Sequence, residues 1–200
     1  MTHSDVSGDS RPTAGSSRRD SALGVSIRRS VAGDALALAA IYGWHVLHGT
    51  GTFDLNPPDA GDMLLRRESV LAEGWPWFVA ERGGEVVGFA YASPFRNRLA
   101  YRHCLEDSIY LRSDAQRQGV GRLLLAELIA RCEALGARQM LAVIGDSANA
   151  GSIGLHRALG FVPVGLLVSV GRKFDRWLDV VLMQRALGPG DDSGPESVTA

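Results

Sequence analysis

The chain has 200 residues, 46% of them hydrophobic, and Lys+Arg 21 against Asp+Glu 22 leaves a formal net charge of -1. That length suits one domain with a substantial core, and the near-neutral balance excludes a global field that would recruit nucleic acid or an anionic membrane. No run reaches the ~18 apolar residues of a membrane helix, and Cys104 and Cys132 alone make no disulfide framework, so a soluble protein of a reducing cytoplasm is expected.

Residues 1–24 are rich in Ser, Gly, Asp and Arg and read as a disordered tail; Arg18-Arg19 has no apolar stretch behind it, which argues against an export signal. The domain is expected over 25–187. It opens with an alternating strand at 25–29, then Gly33-Asp34 and an Ala/Leu-rich helix to about His48, with Asp34 placed as its N-cap. After the irregular GTGTFDLNPPD, residues 60–73 return to helical spacing and Gly74 stops them. Strands at 77–82 and 86–92 flank Gly83-Gly84, a pair suited to the positive φ angles of a tight hairpin. The loop SPFRNRLAYRH leads to a strand at 104–111. A helix at 120–135 carries Leu124, Leu125, Leu128, Ile129 and Cys132 on one face, with Gly136 as its stop. A buried strand at 140–144, a helix at 149–159 ended by Gly160, and strands at 162–170 and 178–184 complete the domain, and 188–200 read as a flexible tail. The order predicts an α/β chain with a mixed sheet and helices on its faces.

Ile109 to Leu125 is the most informative stretch, because a strand runs into a Gly-bearing turn that opens an apolar helix. Such a turn brings consecutive backbone N–H groups and a helix dipole to one point, and Arg117 and Arg122 flank it with guanidinium groups that suit a pyrophosphate. It is not a Walker loop, which needs Lys-Ser/Thr where Arg122-Leu123 stands, nor a dinucleotide fingerprint, which needs a small residue at Leu124. The bland alternative is a turn that merely precedes a core helix. On the preceding strand, alternation groups Glu106 with Cys104, Ser108 and Tyr110, and throws Asp107 onto the apolar side with Leu105, Ile109 and Leu111, which calls for a local bulge or splay. His3, His45, His48, His103 and His156 show no zinc spacing, so no metal is expected.

The Gln116-Arg-Gln-Gly-Val-Gly121 turn and the later Asn149-Ala-Gly-Ser-Ile-Gly-Leu-His-Arg-Ala-Leu-Gly-Phe161 resemble the GNAT superfamily of acetyl-CoA-dependent N-acetyltransferases. Leu105-Glu-Asp-Ser-Ile-Tyr110, the Leu155 to Phe161 run and Arg172-Lys-Phe-Asp-Arg-Trp-Leu-Asp179 are similar to its phosphinothricin acetyltransferase branch. The resemblance covers roughly 25–187. It implies a mostly antiparallel central sheet in the order β-α-α-β-β-β-α-β-α-β-β.

With acetyl-CoA as co-substrate, the resemblance puts Arg117, Gln118, Gly119, Val120, Gly121 and Arg122 around the pyrophosphate, and the backbone of Ile109, Tyr110 and Leu111 along the pantetheine arm. Asn149 would touch the same arm or a phosphate as well as cap its helix. Glu106 becomes the general base, directly or through water. His156 occupies the place where most family members carry a thiolate-protonating Tyr, and whether it acts as acid or base stays open. Phe53, Arg96, Arg98, Tyr101, Lys173 and Trp177 are the candidates for the acceptor pocket. The branch implies direct transfer to the α-amino group of a small amino acid or glutamate analogue of the phosphinothricin, methionine sulfone or sulfoximine type. It also implies a homodimer in which the 173–177 loop lies near the neighbour's acceptor site. Another amine acceptor, such as a protein N-terminus, a polyamine or an aminoglycoside, and a non-catalytic acyl-CoA sensor are the alternatives. An acyl-cysteine route through Cys104 is disfavoured, because no activating His stands beside it in a recognisable motif.

Overall fold

The computed structural model describes residues 19–20 and 23–194. Its strands are β1 (Arg19–Asp20), β2 (Val25–Arg29), β3 (Trp77–Arg82), β4 (Glu85–Pro94), β5 (Cys104–Leu111), β6 (Gln139–Gly145), β7 (Val162–Lys173) and β8 (Arg176–Ala186). The helices are α1 (Ala35–His48), α2 (Ala60–Ala72), α3 (Val120–Ala134) and α4 (Ala150–Ala158). Across the sheet the order is β1-β2-β3-β4-β5-β6-β8-β7, and only β5 and β6 run parallel. The expected mixed, mostly antiparallel sheet with helices on its faces is what forms. Most of the tail expected over 1–24, and residues 195–200 of the other, lie outside the described residues. Within 188–194, Arg138 donates to the carbonyls of Gly190 and Gly194.

Helical spacing decides which face each helix buries. Leu38, Ile41, Tyr42 and Val46 of α1 line up on one side and pack with Met63 and Val70 of α2 over Trp77, Val79 and Phe89. On the opposite face Leu124, Leu125, Leu128, Ile129 and Cys132 of α3 meet Val87, Ala90, Leu105 and Met140. Each fully buried Leu here contributes about 2 kcal/mol. The start of α2 is closed by Asp59 and Asp62, whose carboxylates accept each other's backbone N–H.

Asp34 departs from expectation. It stands at the N-cap position of α1, just before Ala35, but its side chain caps nothing there, because a 3-10 turn over Ala32–Asp34 has already given it helical angles. Its carboxylate instead accepts the Val31 N–H and a two-pronged contact from Arg28 at 2.9 and 2.8 Å. Burial opposes its charge, but Arg28 and Val31 outweigh burial and hold the carboxyl below its ordinary value.

The last two strands are longer than the sequence suggests, because their turn is tight: Phe174 and Asp175 take φ of 51° and 58°. β7 ends the sheet on the side opposite β1, with no strand beyond it among the described residues, and Val162, Val164, Leu166, Leu167, Val168 and Val170 on it are between 45% and 68% exposed.

Candidate active site

The site begins with a parting of strands. β5 pairs with β6 only from Cys104 to Asp107, opposite Gln139 to Ala142. Beyond that point β5 stays with β4 through Leu111, and β6 stays with β8 through Gly145, so the two diverge around a cleft of about 870 Å³. Among the described residues, backbone groups of Ser108 to Leu111 on that side have no strand neighbour and, apart from the Leu111 carbonyl that His45 meets, offer an extended ladder to a ligand. The expected Ile109, Tyr110 and Leu111 all border the cleft.

At the outer end of the cleft lies the Gly turn. Arg117 and Gly119 take φ of 58° and 82°, and α3 then starts with no side chain capping it. A helix opening whose N–H groups are left uncapped, between Arg117 and Arg122 on the cleft wall, fits a diphosphate. Gly121 adds a packing reason for its size, since a Cβ there would stand 3.2 Å from Leu155 and 3.3 Å from Leu111. Val120 is buried in the core and Gln118 donates to the Asp114 carbonyl at 2.6 Å, so the side chains of these two brace the turn and only their backbone can serve a ligand. Asn149 caps α4, its Oδ1 accepting the Ser152 N–H, and it borders the cleft.

Glu106 sits at the last paired stretch of β5, half-buried on the α1 face, and borders the cleft. Burial pushes its carboxyl up, the neighbouring Asp107 charge adds to that, and Arg96 opposes it. Asp107, on the other face, is expected to call for a local bulge or splay. No bulge exists, for the β4–β5 register is continuous from Leu111 to Leu105, but β5 does splay from β6 immediately after Asp107. One oxygen of the carboxylate finds a partner 49 residues away, with Oδ2 lying 3.0 Å from His156 Nε2.

His156 is only 2% exposed. Its Nδ1 faces the Ser152 carbonyl at 2.7 Å, and the Phe161 ring meets its edge at 5.0 Å. The end of α4 sets this contact: Gly160, at φ 85°, lets the Phe161 N–H turn back to the His156 carbonyl, so Phe161 is folded onto the histidine. Burial alone would lower the imidazole pKa, but the Asp107 hydrogen bond and charge with the Ser152 carbonyl raise it above its ordinary value.

The acceptor candidates divide. Phe53 lines the cleft, its ring lying where a Cβ on Gly171 or Gly145 would have to stand. Arg96 stacks over Phe95 at 5.1 Å and its charge reaches Glu106. Arg98 and Tyr101 are exposed on the 95–103 loop, away from the cleft walls, and Tyr101 meets Phe95 edge-on at 5.9 Å. Lys173 is no open clamp. It is 5% exposed, and its ammonium donates to the Gly49 and Thr52 carbonyls, both at 2.9 Å. Trp177 is 63% exposed at the start of β8 and does not line this cleft.

Sequence reasoning missed His45, whose Nε2 meets the Leu111 carbonyl at 2.7 Å from α1, and the Tyr42–Thr52–Asp54 chain that holds the loop leading to Phe53. It also missed Asp107 as a site residue. Its misfit with strand alternation was the one available signal.

The model of the acetyltransferase (GNAT) family matches residues 42–161. Phosphinothricin N-acetyltransferase of Alcaligenes faecalis is 54% identical over 163 residues, which are 82% of this chain and 83% of that protein. L-methionine sulfoximine/L-methionine sulfone acetyltransferase of Pseudomonas aeruginosa is 38% identical over 168 residues, covering 84% of this chain and 97% of that one. The crystal structure of a GNAT superfamily phosphinothricin acetyltransferase from Sinorhizobium meliloti with AcCoA matches at a TM-score of 0.85 and 46% identity, over 88% of this chain and 95% of that one.

Proposed function

The chain belongs to the GNAT family of acetyltransferases, and from that premise we propose that it acetylates the α-amino group of a small amino acid or glutamate analogue of the phosphinothricin, methionine sulfone or sulfoximine type. Acetyl-CoA, when bound, supplies the thioester. The residues that hold it are the uncapped start of α3 with Arg117 and Arg122, the unpaired edge of β5, and Asn149.

An acceptor ammonium must lose a proton before its nitrogen can attack. Glu106 is the group that takes it, directly or through water. The observation that carries this reading is the place of Glu106: a half-buried carboxyl with a raised pKa, at the point where β5 leaves β6 and the extended ladder begins. A base held nearer to neutrality than a free carboxylate accepts a proton more readily at working pH. Transfer is direct, since Cys104 has its thiol pKa raised by burial and carries no activating contact. Phe53 is the apolar wall for the acceptor, and Arg96, off the cleft lining, bears on the site through its charge on Glu106.

The protein acts as a cytoplasmic homodimer whose subunits meet along the apolar free edge of β7, next to the 173–177 turn. The test of function is a panel of amino acids and analogues assayed for release of coenzyme A thiol. Release with phosphinothricin or methionine sulfoximine and not with polyamines or aminoglycosides supports the reading. Release with only the latter replaces the acceptor, and no release with any amine while coenzyme A still binds replaces the enzyme with a sensor.

A further inference from the structure

The His156 ring has no nitrogen left to receive a proton. The Ser152 carbonyl can only accept, so Nδ1 donates to it, and Nε2 points at a carboxylate oxygen, which also accepts. From the other side, Asp107 is as demanding: its side chain is 1% exposed, Oδ1 has no partner, and Nε2 is the one donor that reaches Oδ2 among the described residues. A carboxylate buried that deeply, with a single donor, needs a charge opposite it. The surroundings supply none other. α3 presents Cys132, whose thiol is pushed up to about 12 by burial and by the Asp107 charge, Phe161 presents a ring edge, and Ser152 on α4 is neutral.

We propose that Asp107 is a positioning residue that keeps His156 a doubly protonated imidazolium in the wall of the cleft, so that the ring acts as a fixed positive charge and not as a base. Its part in turnover rests on the acetyl-transfer reading; the protonation of the ring does not. During transfer the C–N bond forms and the C–S bond breaks. The ammonium gives up one proton to Glu106 before attack and a second from nitrogen afterwards, which neutralises the sulfur, so the imidazolium loses none. It lowers the energy of the sulfur while negative charge develops there.

Imidazole 15N NMR of the full-length protein tests the pairing, with the His156 signal identified by its loss in His156→Gln. Two protonated ring nitrogens at neutral pH are expected. A bare Nε2 at neutral pH, as in a pair where the proton sits on Asp107, overturns the proposal. In Asp107→Asn, which keeps the shape, the ring should titrate at lower pH and the alkaline limb of kcat should move down with it. The same variant should lower kcat by about a hundredfold, the scale of losing one prearranged electrostatic contact, while coenzyme A affinity by calorimetry holds. Unchanged kcat and an unchanged alkaline limb in a folded Asp107→Asn overturn the role in turnover. Should that variant not fold, the wild-type spectrum still decides the pairing. A doubly protonated ring in a protein that acetylates no amine leaves the pairing supported and removes the acetyl-transfer reading.

Discussion

At the residue scale, neighbours on one strand are given opposite tasks by the face they occupy. Glu106 is open to the cleft and keeps a raised pKa; Asp107 is buried against α4 and spends its charge on His156. Glu106→Gln should therefore lower kcat by about a hundredfold or more, the range for removing a general base, and leave coenzyme affinity almost unchanged. It should also abolish an acid limb of the rate profile that lies above the ordinary carboxylate value, and a variant as active as wild type at every pH removes Glu106 from the mechanism. Gly121→Glu presses a long acid between Leu155 and Leu111 and sets it beside a diphosphate, so calorimetry should detect no coenzyme binding. Gly171→Ala displaces the Phe53 ring, and the expected signature is a raised KM for the acceptor with coenzyme affinity intact.

At the scale of elements, what could be read from sequence was whatever is encoded locally. Gly83-Gly84, Gly136 and Gly160 mark where chains reverse or helices end, and all four glycines take positive φ. The face of α3 followed from its spacing, and the turn before it from its glycines. What could not be read depends on contacts between distant residues. The parting of β5 and β6 is a tertiary event, since nothing in Ser108 to Leu111 differs locally from the paired half of the strand. The ammonium of Lys173 goes to carbonyls of a loop 121 and 124 residues away, which no charge count on the 173–177 turn reveals. Asp107 broke the alternation; of the bulge or splay expected for it only the splay from β6 forms, and a histidine on another element meets its carboxylate. β7 yields the element-scale test: Leu166→Lys with Val168→Glu on the free edge should convert dimer to monomer in sedimentation or light scattering, and a wild-type protein already monomeric at high concentration refutes that interface.

For the whole molecule, stability should depend on pH from both sides through two histidines of opposite sign, His45 half-buried and His156 buried. Burial holds His45 below its ordinary value, with the Leu111 carbonyl opposing and Lys173 adding to the effect. Folding thus favours its neutral form, a contribution present above the unfolded value of about 6.5 and lost as pH falls below it. His156 is raised, so its contribution is complete below that value and lost as pH rises through the folded one. Urea midpoints measured across pH should fall on both flanks. His45→Gln should flatten the acid flank and His156→Gln the alkaline one, and a profile insensitive to both substitutions contradicts the assignment.

The buried ammonium of Lys173 has a reach beyond its own contacts. It roots the segment that carries Phe53 to the hairpin beside the free edge of the sheet, so whatever steadies that hairpin from outside also steadies one side of the acceptor's seat. In the proposed dimer, recognition of the amine and self-association would then be thermodynamically linked: dilution should loosen the grip on the amine, and saturating amine should favour association by the same factor.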